Sequence, residues 1–105
     1  MLEISVDKIA QVILYAREID RAEGEFRGFI GALNEDEKAS LVAVAWIGRE
    51  AFQPEDLEAA KQTAMDEATV PTEDYLLGMP HLPDNLEAGL EALGYSVTDV
   101  EGDIL

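Results

Sequence analysis

Asn34-Glu35-Asp36-Glu37-Lys38-Ala39-Ser40-Leu41-Val42-Ala43-Val44-Ala45-Trp46-Ile47-Gly48 holds a helix start, a helix body and a helix stop in one continuous stretch. Asn34 can cap the first turn with its side-chain oxygen, and Glu37, three residues on, can reach back to the Asn34 backbone N–H as in a capping box. Glu35, Asp36 and Glu37 fall where the helix dipole favours negative charge. Between Ala39 and Ile47 only Ser40 is polar, so the body is apolar on nearly every face, the pattern of a helix surrounded by other helices. Gly48 supplies the left-handed residue that commonly ends a helix. The stretch therefore predicts a central helix over about 35–47.

Upstream, Val6, Ile9, Ile13 and Ala16, with Val12 and Ile19 alongside, recur at helical spacing behind a natural cap, Ser5. This predicts a first helix from about Val6 to Ala22, ended by Gly24. Phe26, Phe29, Ile30 and Leu33 continue the period as a short second helix, although Gly28 and Gly31 interrupt it at about 1 kcal/mol each relative to Ala. The glycines suit close approach to a neighbour, and a loosely helical connector is the other reading. Downstream, Phe52-Gln53-Pro54-Glu55-Asp56 is a helix start, and the fourth helix, to about Glu67, carries a thin stripe of Leu57, Ala60, Ala64 and Ala68. Thr72 caps a short fifth helix stopped by Gly78, and after Met79-Pro80-His81-Leu82-Pro83 the last helix begins at Pro83 or Asp84. Its Leu86, Leu90 and Leu93 form a stripe that Gly94 ends.

These elements make one all-α domain, residues 1–96, of five to six helices around the central one, followed by an acidic tail, 97–105, of partial order. A chain of 105 residues can bury roughly 65% of its unfolded surface, enough for one core without metals or disulfides. The absence of cysteine excludes disulfide staples, thiolate metal sites and thiol nucleophiles. The longest apolar run is about half of the roughly 20 residues a membrane span needs, and no basic-then-apolar signal opens the chain, which points to a cytoplasmic protein.

Charge is uneven. With 23 acids and 7 bases the net is −16, and of this −14 falls from Asn34 onward. After Lys61 there are ten acids and no base. Such a surface repels phosphate backbones and anionic membranes, so neither nucleic acid nor membrane is an expected direct partner, and a charged protein partner should be basic.

Four constellations carry candidate chemistry. His81, the one histidine, is conceivable as an acid or base but has no cysteine, nucleophile elbow or second ligand to work with, which makes it an ordinary loop residue. Asp66-Glu67, Glu73-Asp74 and Asp99, Glu101, Asp103 offer oxygens to calcium, yet none has EF-hand spacing, and caps on a solvated face explain them. Trp46 and Arg49, three residues apart, can stack to form a small anion-binding surface, or Trp46 is core and Arg49 complements the helix C-terminus. Tyr75-Leu76-Leu77-Gly78-Met79-Pro80 has interface composition and equally suits a core helix.

The segments Leu33–Arg49, Tyr75–Pro80 and Leu86–Leu90, together with Ile4–Lys8 and Ala16-Arg17-Glu18, resemble in matching order those of a small proteobacterial family of acidic helical proteins that carries a domain of unknown function. The resemblance covers most of the chain and implies no catalytic or binding residue. It also implies a longer acidic insertion between the first two helices, where Asp20 to Glu25 stands here.

No catalytic residue, cofactor site or metal site follows from these observations. The leading reading is a non-enzymatic protein-interaction or adaptor module, homodimerisation included, because the thin stripes on the fourth and last helices invite a covering subunit. An acidic decoy for a basic nucleic-acid-binding protein is the second reading. A small enzyme or ligand-binding protein is the third, with a pocket near Arg49 and His81. The binding-surface candidates are Trp46, Arg49, Tyr75, His81 and Asp84.

Overall fold

The first turn of the central helix is closed from both directions. Asn34 Oδ1 accepts from the Glu37 N–H at 2.7 Å, and Glu37 Oε1 accepts from the Asn34 N–H at 3.0 Å, the reciprocal bonds of a capping box. In the computed structural model, which describes residues 2–95, this helix is α3 (Glu35–Gly48). Before it lie α1 (Val6–Arg17) and α2 (Ile19–Gly31); after it come a 3-10 turn, Pro54–Asp56, then α4 (Leu57–Asp66), α5 (Thr72–Leu77) and α6 (Leu82–Ala92). Among the described residues there is no strand, and the domain is all-α. The expected tail, 97–105, lies outside the described residues.

All nine residues from Ala39 to Ile47 are buried, as an all-round apolar helix requires. Packing on α3 is most extensive from α6, then from α4, while α1 packs on α2 and α6, and α2 on α5. Phe26, Ile30, Leu41, Val44, Leu76, Leu86 and Leu90 join Ile9, Val12 and Ile13 in one fully buried core.

The α3–α6 contact is made by backbone. A Cβ on Gly48 would lie 1.7 Å from the Asn85 carbonyl oxygen, and one on Gly89 would lie 2.1 Å from that of Val44. Each helix thus presents one glycine and, one turn earlier, one carbonyl to the other, an arrangement that admits Cα–H···O contacts and excludes any side chain at either glycine. This corrects the expectation for Gly48. It is the last residue of α3, and the left-handed conformation falls on Glu50 (φ 65°). What requires glycine at 48 is the passage of α6.

The N-terminal region also differs from expectation. The first helix ends at Arg17, Glu18 (φ −108°, ψ 29°) breaks it, and α2 runs through Gly24 and Gly28 with a kink at Ala22 (φ −116°, ψ 18°). The earlier break turns Phe29 back so that its ring meets Tyr15 edge-on at 5.9 Å. Gly24 neither stops a helix nor admits a neighbour, since a Cβ at 24 or 28 would meet nothing within 4 Å. Thr72 is the first residue of α5 and makes no side-chain cap; Pro71 occupies the cap position. The last helix starts at Leu82, behind His81 in the left-handed region (φ 57°, ψ 33°), and Gly94 (φ 94°) follows its end as expected.

Polar staples tie the periphery to α3. Lys61, 6% exposed, donates to Glu3 at 2.9 Å and to Glu58, and the Glu3 N–H donates to the buried Ser40 Oγ at 3.0 Å. Burial depresses the Lys61 ammonium, but its bonds to the two carboxylates outweigh this and raise its pKa. On the other side, Lys8 pairs with Glu37 of the capping box, and Arg27 bridges α2 to Asp74.

Two outcomes follow from this packing. Gly89→Ala should lower stability by about 2–3 kcal/mol or more through overpacking, whereas Gly28→Ala should raise it by about 0.5–1 kcal/mol through helix propensity; urea melts of the two variants make the comparison. Glu37 is held below the ordinary carboxylate range by the Lys8 ammonium and then by the Asn34 N–H. Its contribution is therefore complete above an unfolded pKa of about 4.3 and is lost as pH falls through the lower folded value. Glu37→Gln should lose less stability than wild type between about pH 5 and about pH 3 in melts across that range.

Candidate functional site

Within the buried body of α3, Leu41, Ala43, Val44 and Ala45 are sealed, while Ala39, Val42 and Trp46 keep a little exposure. These three stand at i, i+3 and i+7, a single stripe along the helix. Over that stripe α4 and α5 do not close. Packing of α5 on α3 is slight, because the six-residue α5 is engaged mainly with α2 through Leu76 and the Arg27–Asp74 pair. On the α4 side, Ala60 is fully buried, while Ala64 and, beyond the helix end, Ala68 leave room where larger residues would fill it.

The result is a groove of two adjoining hollows. One, of about 260 Å³, has Val42, Trp46, Ala64, Val70 and Tyr75 in its lining and Glu67 at its edge. The other, of about 170 Å³, shares Val42, Ala64, Ala68 and Thr72 with the first and extends to Met65, Lys38 and Glu35. Both are smaller than the roughly 300–1,000 Å³ typical of small-molecule and cofactor sites, and suit a side chain each. The exposed large apolar residues of the described chain are Leu14, Met65, Val70, Tyr75 and Tyr95; the middle three line this groove.

Aromatic contacts fix its floor. The Trp46 indole N–H donates to Tyr75 Oη at 2.8 Å, with the rings perpendicular (88°) and 6.4 Å apart, while Phe52 stacks on the indole at 5.5 Å and 20°. Trp46 is both core, at 8% exposure, and part of the groove. The indole stacks on Phe52 and meets Tyr75, while Arg49 is exposed at the C-cap position of α3.

The remaining candidates lie elsewhere. His81 lines a separate hollow of about 150 Å³ with Ile19, Phe26, Leu77 and Leu82, and neither hollow of the groove includes Arg49, His81 or Asp84. Asp84 is exposed in the first turn of α6, where the dipole favours an acid. Among the described residues no three His, Asp or Glu side chains are placed to hold a metal ion, and Asp99, Glu101 and Asp103 lie outside them. Nor is any described helix long and apolar enough to cross a membrane.

A small helical domain with a shallow apolar groove on its central helix is the class these features define. Residues 23–95 match the family described as "Protein of unknown function (DUF3775)", and the chain belongs to it. No curated protein and no solved structure matches the chain. The match includes α3 to α6 and therefore the whole groove.

Tyr75→Phe tests the floor. Loss of the oxygen leaves the indole N–H without its acceptor and should cost about 1–2 kcal/mol, with a change in Trp46 fluorescence, whereas Tyr15→Phe, in a ring that meets Phe29 by its edge, should stay within about 0.5 kcal/mol in the same denaturation assay.

Proposed function

We propose that this protein is a non-enzymatic protein-interaction module whose contact surface is the groove floored by Ala39, Val42 and Trp46. One observation carries the reading: α4, the linker and α5 leave two hollows over Ala39, Val42 and Trp46 of the central helix, and Met65, Val70 and Tyr75 stand exposed around them. Trp, Tyr and Met are the residue types that interfaces concentrate, and a tryptophan held by a hydrogen bond and a stacked ring contributes contact area at little entropic cost.

A partner of different sequence fits better than a second copy. Of the stripe on α6, Leu86 and Leu90 are fully buried and Leu93 is half-buried against the core, so the chain itself covers most of it. Two chains each carrying −16 also repel one another on approach.

Ala68 is exposed, follows the end of α4 and borders both hollows, so Ala68→Arg should block the groove while leaving stability within about 0.5 kcal/mol. Affinity capture from native cells should recover a defined partner with the wild-type chain and lose it with this variant, at matching thermal melts. Recovery of the same proteins by both chains would sink the reading.

A further inference from the structure

We propose that the groove takes a basic amphipathic helix: a two-turn segment of a partner protein with two apolar anchors three or four residues apart and Lys or Arg beside them. This inference rests on the interaction reading above and names the chemistry of the partner.

Length and wall type favour a helix. From Ala39 to Trp46 the floor advances seven residues, about 10 Å at 1.5 Å per residue, which two turns of a bound helix match anchor for anchor. An extended segment covers that distance in about three residues and binds chiefly by adding to an open sheet edge. Here the floor is a helix and α4 and α5 flank it, their interior backbone groups bonded within themselves, while the linker 67–71 completes one wall; the Trp46 N–H is already given to Tyr75. Apart from that linker, the site has little hydrogen bonding to offer an extended backbone. What it offers is two neighbouring apolar hollows, of about 260 and 170 Å³, divided by a shared wall. Two side chains one turn apart on a helix reach such a pair together.

Charge determines the flanks. The end of α4, the linker and α5, residues 62–77, contain Asp66, Glu67, Glu73 and Asp74 and no base. Of these, Glu67 lines the groove, whereas Glu73 lies against Gly31 of α2 and Asp74 is paired with Arg27. Lys38, the base in the groove lining, is paired with Glu35 at 3.8 Å. Glu67 thus stands in the lining with no cation beside it among the described residues, on a chain of net −16, which attracts Lys or Arg flanks and repels both an acidic segment and another copy of this chain.

The test is selection of a displayed library of random peptides, each of about 16 residues, on the full-length protein, with Ala68→Arg as counter-selection. The selected peptides are then synthesised and titrated by Trp46 fluorescence and circular dichroism. The expected winners carry net positive charge and two apolar residues three or four apart, gain helicity on binding, lose at least about tenfold in affinity from low to high salt, and fail on Ala68→Arg. Winners sensitive to Ala68→Arg that are acidic, proline-rich or bound without helix formation would overturn this inference and leave the interaction reading standing. If no winner is sensitive to Ala68→Arg, both fail together. A concentration-dependent dimer that Ala68→Arg abolishes, seen by sedimentation, would also overturn it in favour of self-association.

Discussion

The contact on which the architecture depends is the crossing of α3 and α6 at Gly48 and Gly89. With each glycine against a carbonyl of the opposite helix, the two backbones approach as closely as main chain allows. That proximity lets Leu82, Leu86 and Leu90 of α6 lie fully in the core and seals one flank of α3 with main-chain atoms. The opposite flank must then be covered by α4 and the short α5 alone. A closely packed face and an open face on one helix are two consequences of the same choice. Helix α6 fills its side completely, and the alanines of α4 do not.

The fold was legible where its causes are local. The capping box at Asn34 and Glu37, the Ser5 cap that accepts from the Lys8 N–H and Gly94 after the last helix are each decided within a few residues and stand as the sequence predicts, whereas the proline-led start at Pro54 forms a 3-10 turn and α4 begins at Leu57. Glycines whose purpose is tertiary were misread. Gly48 has the position of a helix stop, and its reason for being glycine lies on α6, about 40 residues away in the chain. The break at Glu18 is similar: a helical period runs unbroken from Ile9 to Ile19, yet the helix ends at Arg17 and the chain beyond it places Phe29 against Tyr15, a contact distant in sequence. Buried Lys61 was invisible for the same reason, since Glu3, whose N–H is held by Ser40, becomes its partner only in three dimensions.

The candidate site was half legible. Trp46 and Tyr75 are marked by composition, and the structure joins them by a hydrogen bond. Arg49, His81 and Asp84 are marked only as rare or charged residues near helix ends, a signal that says nothing of which hollow a side chain borders. The rest of the groove is built from Val42, Ala64, Ala68 and Val70, ordinary residues whose significance comes from what fails to cover them. The alanine stripe on α4 was visible, but a small-residue stripe signifies close packing in one context and an opening in another. Distinguishing the two requires knowing that α5 leans on α2.

The same logic applies to charge. A net of −16 describes composition, whereas the arrangement of the cations describes use. Lys8 joins α1 to the start of α3, Arg17 joins α1 to Glu87 of α6, Arg27 joins α2 to α5, and Lys61 holds the N-terminal segment on α4. The exposed pairs, those of Lys8, Arg17 and Arg27, contribute only fractions of a kcal/mol each, so their positive charge serves to orient elements more than to stabilise them. Because those cations are committed to the chain's own carboxylates, the remaining acids keep their field. From Gln62 to Leu77 the chain has four acids and no base, Arg27 reaches only Asp74 of them, and Glu67 lines the groove. Under the proposed reading, an apolar floor with Glu67 in its lining on a chain of net −16 favours a partner that brings its own lysines and arginines over a second copy or an anionic polymer.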